Sequence, residues 1–156
     1  MPREGSVLSN PHEYRCLVGF LHYLTFTRPD LSIAIQQVCQ FMSIPTNAHM
    51  VATRRILRYL NDTLNFGVYL RLDPISLSAF SNSDWAGDLF DRRSTTRYIV
   101  YLGYNPNTWS GKKQDTISRS STEFEYRALA SIVAKLYWLH QVLKDLGLFL
   151  PPPPKL

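Results

Sequence analysis

Cysteine is scarce in this chain: Cys16 and Cys39 are the two among 156 residues. They stand far apart without a neighbouring ligand pattern, which excludes a disulfide framework and a cysteine-rich zinc module. Both fall among apolar neighbours in predicted helices and read as buried, reduced thiols. Long hydrophobic runs are also missing. No stretch approaches the roughly 20 apolar residues that span a bilayer, and the opening Met-Pro-Arg-Glu-Gly-Ser has no apolar signal core. The expectation is a reducing intracellular compartment and no membrane partner. No glycine-rich phosphate loop is present, and no Ser/His/Asp or Cys/His arrangement suggests a nucleophile.

What is present can build a core. Hydrophobic residues make up 45% of the chain and charged residues 19%, which argues against global disorder. Seventeen Lys and Arg against twelve Asp and Glu give a net charge of +5, which favours a polyanionic partner.

The order of elements predicts an α+β fold. Asn10-Pro11 is a helix start, an N-cap residue followed by proline at the first helical position. Tyr14, Leu17, Val18, Leu21 and Leu24 recur at helical spacing, and Arg28-Pro29 closes the run. A second helix from near Asp30 carries Ile33, Ala34, Val38, Phe41 and Met42 and ends at Pro45. A third, from Thr46 or Asn47, turns Val51, Ile56, Leu57 and Leu60 inward, with His49 in a capping or packing role. After residue 65 the period changes. Phe66–Leu70, Leu77–Ser83, Arg97–Leu102 and Asn107–Ser110 read as strands of a small, mainly antiparallel sheet. A long helix follows over residues 121–146, striped by Leu129, Ile132, Leu136, Leu139, Leu143 and Leu146, with Gly147 as its cap. Pro151–Pro154 is an extended tail or spacer. The expected division is a helical segment over 10–63, an α+β unit over 64–147 and a proline-rich tail over 148–156.

Several motifs in fixed order resemble one known family. They are Phe80-Ser-Asn-Ser-Asp-Trp-Ala-Gly-Asp88, Asp91-Arg-Arg-Ser-Thr95, Trp109-Ser-Gly-Lys-Lys-Gln114 and Ser118-Arg-Ser-Ser-Thr-Glu-Phe-Glu-Tyr-Arg-Ala-Leu129. With Tyr14-Arg-Cys-Leu-Val-Gly19, Thr27-Arg-Pro-Asp30 and Arg55-Ile-Leu-Arg-Tyr-Leu60, the match covers roughly residues 10–147. The chain resembles a fragment of a copia-type retrotransposon Pol polyprotein. Residues 10–63 are similar to reverse-transcriptase thumb helices, and residues 64–147 to the N-terminal part of a ribonuclease H domain. The polymerase's Tyr-x-Asp-Asp motif does not occur.

Ribonuclease H chemistry uses two hard divalent ions, Mg2+ in this family, held over a scissile phosphate of an RNA–DNA hybrid by four carboxylates. The first family aspartate falls on Asn82, whose amide offers an oxygen but no charge. Asp84 shares that strand face about 6.6 Å along and reads either as a weak ligand or as a solvated strand-end acid. Of the two glutamates opening the long helix, Glu123 has capping-box spacing to Ser120. Glu125 lies four residues before Leu129 and seven before Ile132, in line with the apolar stripe, so spacing selects it as the site residue. Its bland reading is a half-buried helix-end acid. The resemblance places the third and fourth carboxylates beyond Leu156. The expected catalytic and metal residues are therefore Glu125 and, weakly, Asp84. Arg97 stands where the family usually has glycine.

Three basic clusters are candidates for nucleic-acid contact: Arg54, Arg55 and Arg58; Arg92 and Arg93; Lys112 and Lys113. Each reads equally as a solvated face. The resemblance leaves three functions open: an inactive remnant with residual affinity for RNA–DNA hybrid, a ribonuclease H completed by another chain, or a host-retained interaction module. A truncated sheet also implies an open edge and self-association.

Overall fold

The computed structural model describes residues 5–84, 92–150 and 153–156. It divides into two compact units, residues 1–68 and 69–156.

The first unit is helical. Helix α1 spans Pro11–Leu24, a 3-10 turn spans Pro29–Leu31, α2 spans Ser32–Cys39 and α3 spans Asn47–Asp62. The Asn10 side chain accepts the His12 N–H at 3.2 Å, and Pro11 occupies the first turn, where its missing N–H costs nothing. Thr46 and His49 form a capping box at the start of α3, with the Thr46 N–H donating to Nδ1 of His49 at 3.0 Å. The buried His49 ring stacks on Phe41 at 3.9 Å between centroids, so the capping and packing roles coincide.

Tyr14, Val18, Leu21, Leu31, Ile35, Val38, Met50 and Ile56 form the core of this unit. The Tyr14 hydroxyl donates to the Val38 carbonyl at 2.7 Å, which satisfies the one polar atom that this ring brings inside. Arg15 donates to the carbonyls of Met42 and Ser43, taking up backbone groups just past α2.

Two predicted stripes are corrected here. In α2 the buried residues are Ile35 and Val38, whereas Ile33 is exposed. The helix ends at Cys39, so Phe41 and Met42 do not extend its stripe. In α3 Met50, Thr53 and Ile56 face inward and Val51 is 60% exposed. Both corrections have one cause. Short helices set their rotation by what they pack on, and a stripe of two or three residues does not fix the phase. Cysteine burial is also corrected: Cys16 is exposed and Cys39 half-buried.

The second unit holds β1 (Leu77–Asp84), β2 (Thr95–Leu102), β3 (Asn105–Lys113) and α4 (Ser121–Asp145). The sheet is antiparallel in the order β1-β2-β3. Gly103, at φ +63°, turns β2 into β3 in a conformation that suits a residue without Cβ. Leu77, Ala79 and Val100 pack against Ile132 and Leu136 of α4. Strand alternation then puts Phe80 on the opposite face, where its ring meets Tyr101 edge-on at 6.0 Å.

Residues 66–70 form no strand. Phe66, Tyr69 and Leu70 are exposed, and just beyond them the Arg71 backbone is held by the Asn105 side-chain amide through two 2.8 Å bonds, not by a strand. Aromatic and β-branched content without a partner edge does not make a strand.

Gly147 closes α4 at φ +77°, as its position predicts. Beyond the prolines, Lys155 pairs in parallel with β1. Its N–H donates to Leu77 O at 3.0 Å and its carbonyl accepts the Ala79 N–H at 2.9 Å. The residue after the proline tract is thus part of the sheet edge and not a free tail.

Candidate functional site

Asn82 and Glu125 line one cleft of about 380 Å³, together with Ser81, Ser83, Thr122, Tyr126, Ala128 and Leu129. Strand β1 supplies one wall and the first two turns of α4 the other. The hydroxyl and helix-side lining was not singled out in the sequence. The helical part was legible: Thr122 precedes Glu125 by three residues and Leu129 follows by four, which puts all three on one side of a helix.

Glu125 itself is exposed, which corrects its expected burial. The buried side of α4 runs through Phe124, Ala128, Ile132 and Leu136, so Leu129 sits at the margin and is 38% exposed. A glutamate in register with Leu129 therefore faces the cleft mouth and solvent. Leu146 is likewise exposed.

Glu123 is held as a helix-start residue. Its N–H donates to the Ser120 hydroxyl at 3.1 Å, while its carboxylate accepts the Arg119 N–H at 2.7 Å and pairs with Arg127 at 2.6 Å. The Arg119 N–H, then the Arg127 charge, hold its carboxyl below the usual carboxylate range. That leaves Glu125 as the carboxylate lining the cleft.

Asp84 closes the end of β1. One of its oxygens accepts the Thr95 N–H at 2.6 Å, and the other lies 3.5 Å from the Arg97 guanidinium. Arg97 is also the cross-strand partner of Asn82. Side chains directly opposite in an antiparallel pair have Cβ atoms about 4.5–5.5 Å apart. Arg97 and Asn82 are thus cross-strand neighbours on the sheet face that Phe80 shares, opposite the face that packs on α4. Among the described residues, no three His, Cys, Asp or Glu side chains come together in a way that could hold a metal ion. The motif residues 85–91, including Trp85, Asp88 and Asp91, lie outside the described residues.

The basic residues form two groups, one in each unit. Arg54, Arg55 and Arg58 are all exposed on α3, where three- and four-residue spacings put Arg58 beside each of the others. In the sheet unit, the Ser94 carbonyl accepts the Gln114 N–H at 2.8 Å. That bond brings the start of β2 and the end of β3 together, so Arg92, Arg93, Lys112 and Lys113 share one end of the hairpin. Arg92, Arg93 and Lys112 are exposed and Lys113 half-buried. No helix of the described residues is long and apolar enough to cross a membrane.

No family model and no solved structure matches the chain. Curated proteins do. Over 151 residues the chain is 50% identical to the retrovirus-related Pol polyprotein from transposon RE1 of Arabidopsis thaliana, a match covering 96% of this chain and 10% of that protein. It is 48% identical over 130 residues to an uncharacterized mitochondrial protein of the same plant, covering 83% of this chain and 54% of that one. It is 41% identical over 128 residues to secreted RxLR effector protein 161 of Plasmopara viticola, covering 81% of this chain and 90% of that protein. The chain spans about a tenth of the length of the Pol polyprotein that it matches.

Proposed function

We propose, for a chain that belongs to the copia-type retrotransposon Pol family, that its sheet unit is the first part of a ribonuclease H-like domain that has lost its metal site and keeps weak affinity for nucleic acid. The helical unit is read as thumb-like. The observation that carries the proposal is the pairing of Asn82 with Arg97 across β1 and β2. A site for two magnesium ions needs several carboxylates and low positive charge. Here an amide stands at the position that the resemblance gives the first acid, Arg97 is its cross-strand partner, Asp84 is engaged by Arg97 and the Thr95 N–H, and strand alternation puts these side chains on the sheet face away from the helix that carries Glu125. The described residues do not fit a magnesium pair, and no hydrolytic step is derived through one.

Nucleic-acid affinity is assigned to the exposed arginines of α3 and to the basic end of the β2–β3 hairpin. Neither group reads a base sequence, because cations that meet phosphates position a ligand without specifying it. RNA–DNA hybrid is the expected partner, by family. Fluorescence anisotropy of a labelled hybrid, titrated over a range of salt, tests this reading. Affinity that falls steeply with salt supports it, and no binding at low salt refutes it.

A second reading has its own support. The Plasmopara viticola relative is 90% covered by this match, so a segment of this extent also occurs as nearly the whole of another protein. That favours a non-catalytic interaction module, with the stretch of the β1 edge beyond Ala79, which no described residue pairs, as a surface for self-association. Light scattering of the pure chain separates a monomer from such an assembly.

A further inference from the structure

The outer face of α1 carries a thiol and an imidazole one turn apart. Cys16 Sγ lies 3.7 Å from Nδ1 of His12 and 3.7 Å from Nε2. Both residues are exposed. Zinc binds cysteine sulfur at about 2.3 Å and histidine nitrogen at about 2.0–2.1 Å, which in a tetrahedron separates the two ligand atoms by about 3.6 Å. The pair therefore stands at the ligand–ligand distance of a tetrahedral site, and because Sγ is equidistant from both nitrogens the ring has to turn to direct one lone pair at a shared cation. The four-residue spacing on one helix is what produces this proximity.

We propose that His12 and Cys16 form half of a binding site for a soft divalent cation such as zinc, completed by the same pair from a second copy of this chain. Two ligands are half of what a structural zinc site takes, and among the described residues no third such side chain joins them. A second copy supplies the rest by symmetry, giving a two-cysteine, two-histidine set. The same helix face suits a close neighbour. Gly19 follows Cys16 by three residues with open space where a side chain would stand, and Phe20 and Tyr23 continue the face, both exposed. Two α1 helices can approach at Gly19 and cover these rings. On binding, the thiol proton leaves to solvent, the thiolate donates to the cation, and the neutral imidazole donates its lone pair.

The second thiol serves as an internal control. Cys39 Sγ lies 4.0 Å from Nδ1 of His22, but Cys39 is half-buried and burial pushes its thiol up. A thiolate there is costly to form, so this pair should not compete.

The test is a cobalt(II) titration of the full-length chain, followed by the thiolate-to-cobalt charge-transfer absorption, with molar mass measured by light scattering with and without zinc. The expected result is a band that saturates at one cobalt per two chains and a doubling of mass that a chelator reverses. Cys16→Ser should abolish both, His12→Ala should weaken both by at least tenfold, and Cys39→Ser should leave both intact. Circular dichroism of each variant checks that the exposed substitutions leave the fold unchanged. A band that survives Cys16→Ser, saturation at one cobalt per chain without a change in mass, or no band at all overturns the proposal.

Discussion

The Arg97 guanidinium lies 3.5 Å from the Asp84 carboxylate while Arg97 also faces Asn82 across the strand pair. One cation thus pairs with Asp84 and is the cross-strand neighbour of Asn82, the position that the proposed function assigns to a lost acid. Restoring the acid alone should do little, because the carboxylate introduced by Asn82→Asp would pair with the same guanidinium. Asn82→Asp combined with Arg97→Gly should bind manganese at least tenfold more tightly than Asn82→Asp alone, measured by proton relaxation of water. Equal affinity of the two variants would show that Arg97 does not govern the site.

Asp84 is itself a hairpin residue in this structure. Asp84→Asn removes a half-exposed ion pair and weakens a cap on the Thr95 N–H. The expected loss is about 1 kcal/mol or less, since exposed pairs contribute little and an amide oxygen still accepts the N–H. Thermal unfolding checks the magnitude, and hybrid affinity should not change.

Replacing Arg54, Arg55 and Arg58 together with alanine should weaken binding to every nucleic-acid sequence alike. If each meets one phosphate, the logarithmic salt slope should become shallower by about 2–3. An unchanged slope would make this α3 face merely solvated.

The helical unit has a pH signature. Arg28, nearly buried, donates to both oxygens of Asp30 at 3.0 and 2.8 Å and to Thr63 at 2.9 and 2.8 Å, tying the turn before α2 to the end of α3. The Arg28 hydrogen bonds hold the Asp30 carboxyl below its ordinary 3.8. A depressed folded value means that the unfolded chain takes the proton first as pH falls. The contribution is therefore complete above the ordinary value and is lost as pH drops through the lower folded value. Asp30→Asn should remove that part of the acid dependence, read from denaturant midpoints between neutral and acidic pH.

Much of this fold was legible in short-range chemistry. Asn10-Pro11, Thr46 with His49, Ser120 with Glu123 and Gly147 mark helix ends through bonds made within a few residues, and sequence spacing states such bonds directly. The three strands of the sheet also announced themselves. What failed depended on distant partners. Phe66–Leu70 has strand composition but no neighbouring edge. The face of α4 is set by Leu77, Ala79 and Val100, which pack on Ile132 and Leu136; that face continues through Phe124 and Ala128 and leaves Leu129 and Glu125 outward. The pairing of Arg97 with Asn82 needed the register of β1 on β2, and the seating of Lys155 on β1 needed the chain to return past α4. The His12–Cys16 contact, whose four-residue spacing was visible, depends on the exposure of both side chains, which spacing does not state.

The proposed loss of the metal site is tested most directly by incubating the pure chain with a labelled RNA–DNA hybrid in magnesium or manganese and resolving the RNA strand. The unmodified chain should leave the RNA intact at concentrations where anisotropy shows the hybrid bound. Metal-dependent cleavage that disappears in Glu125→Gln would contradict the account, because it would mean that Asn82, Arg97 and Glu125 still assemble a working site.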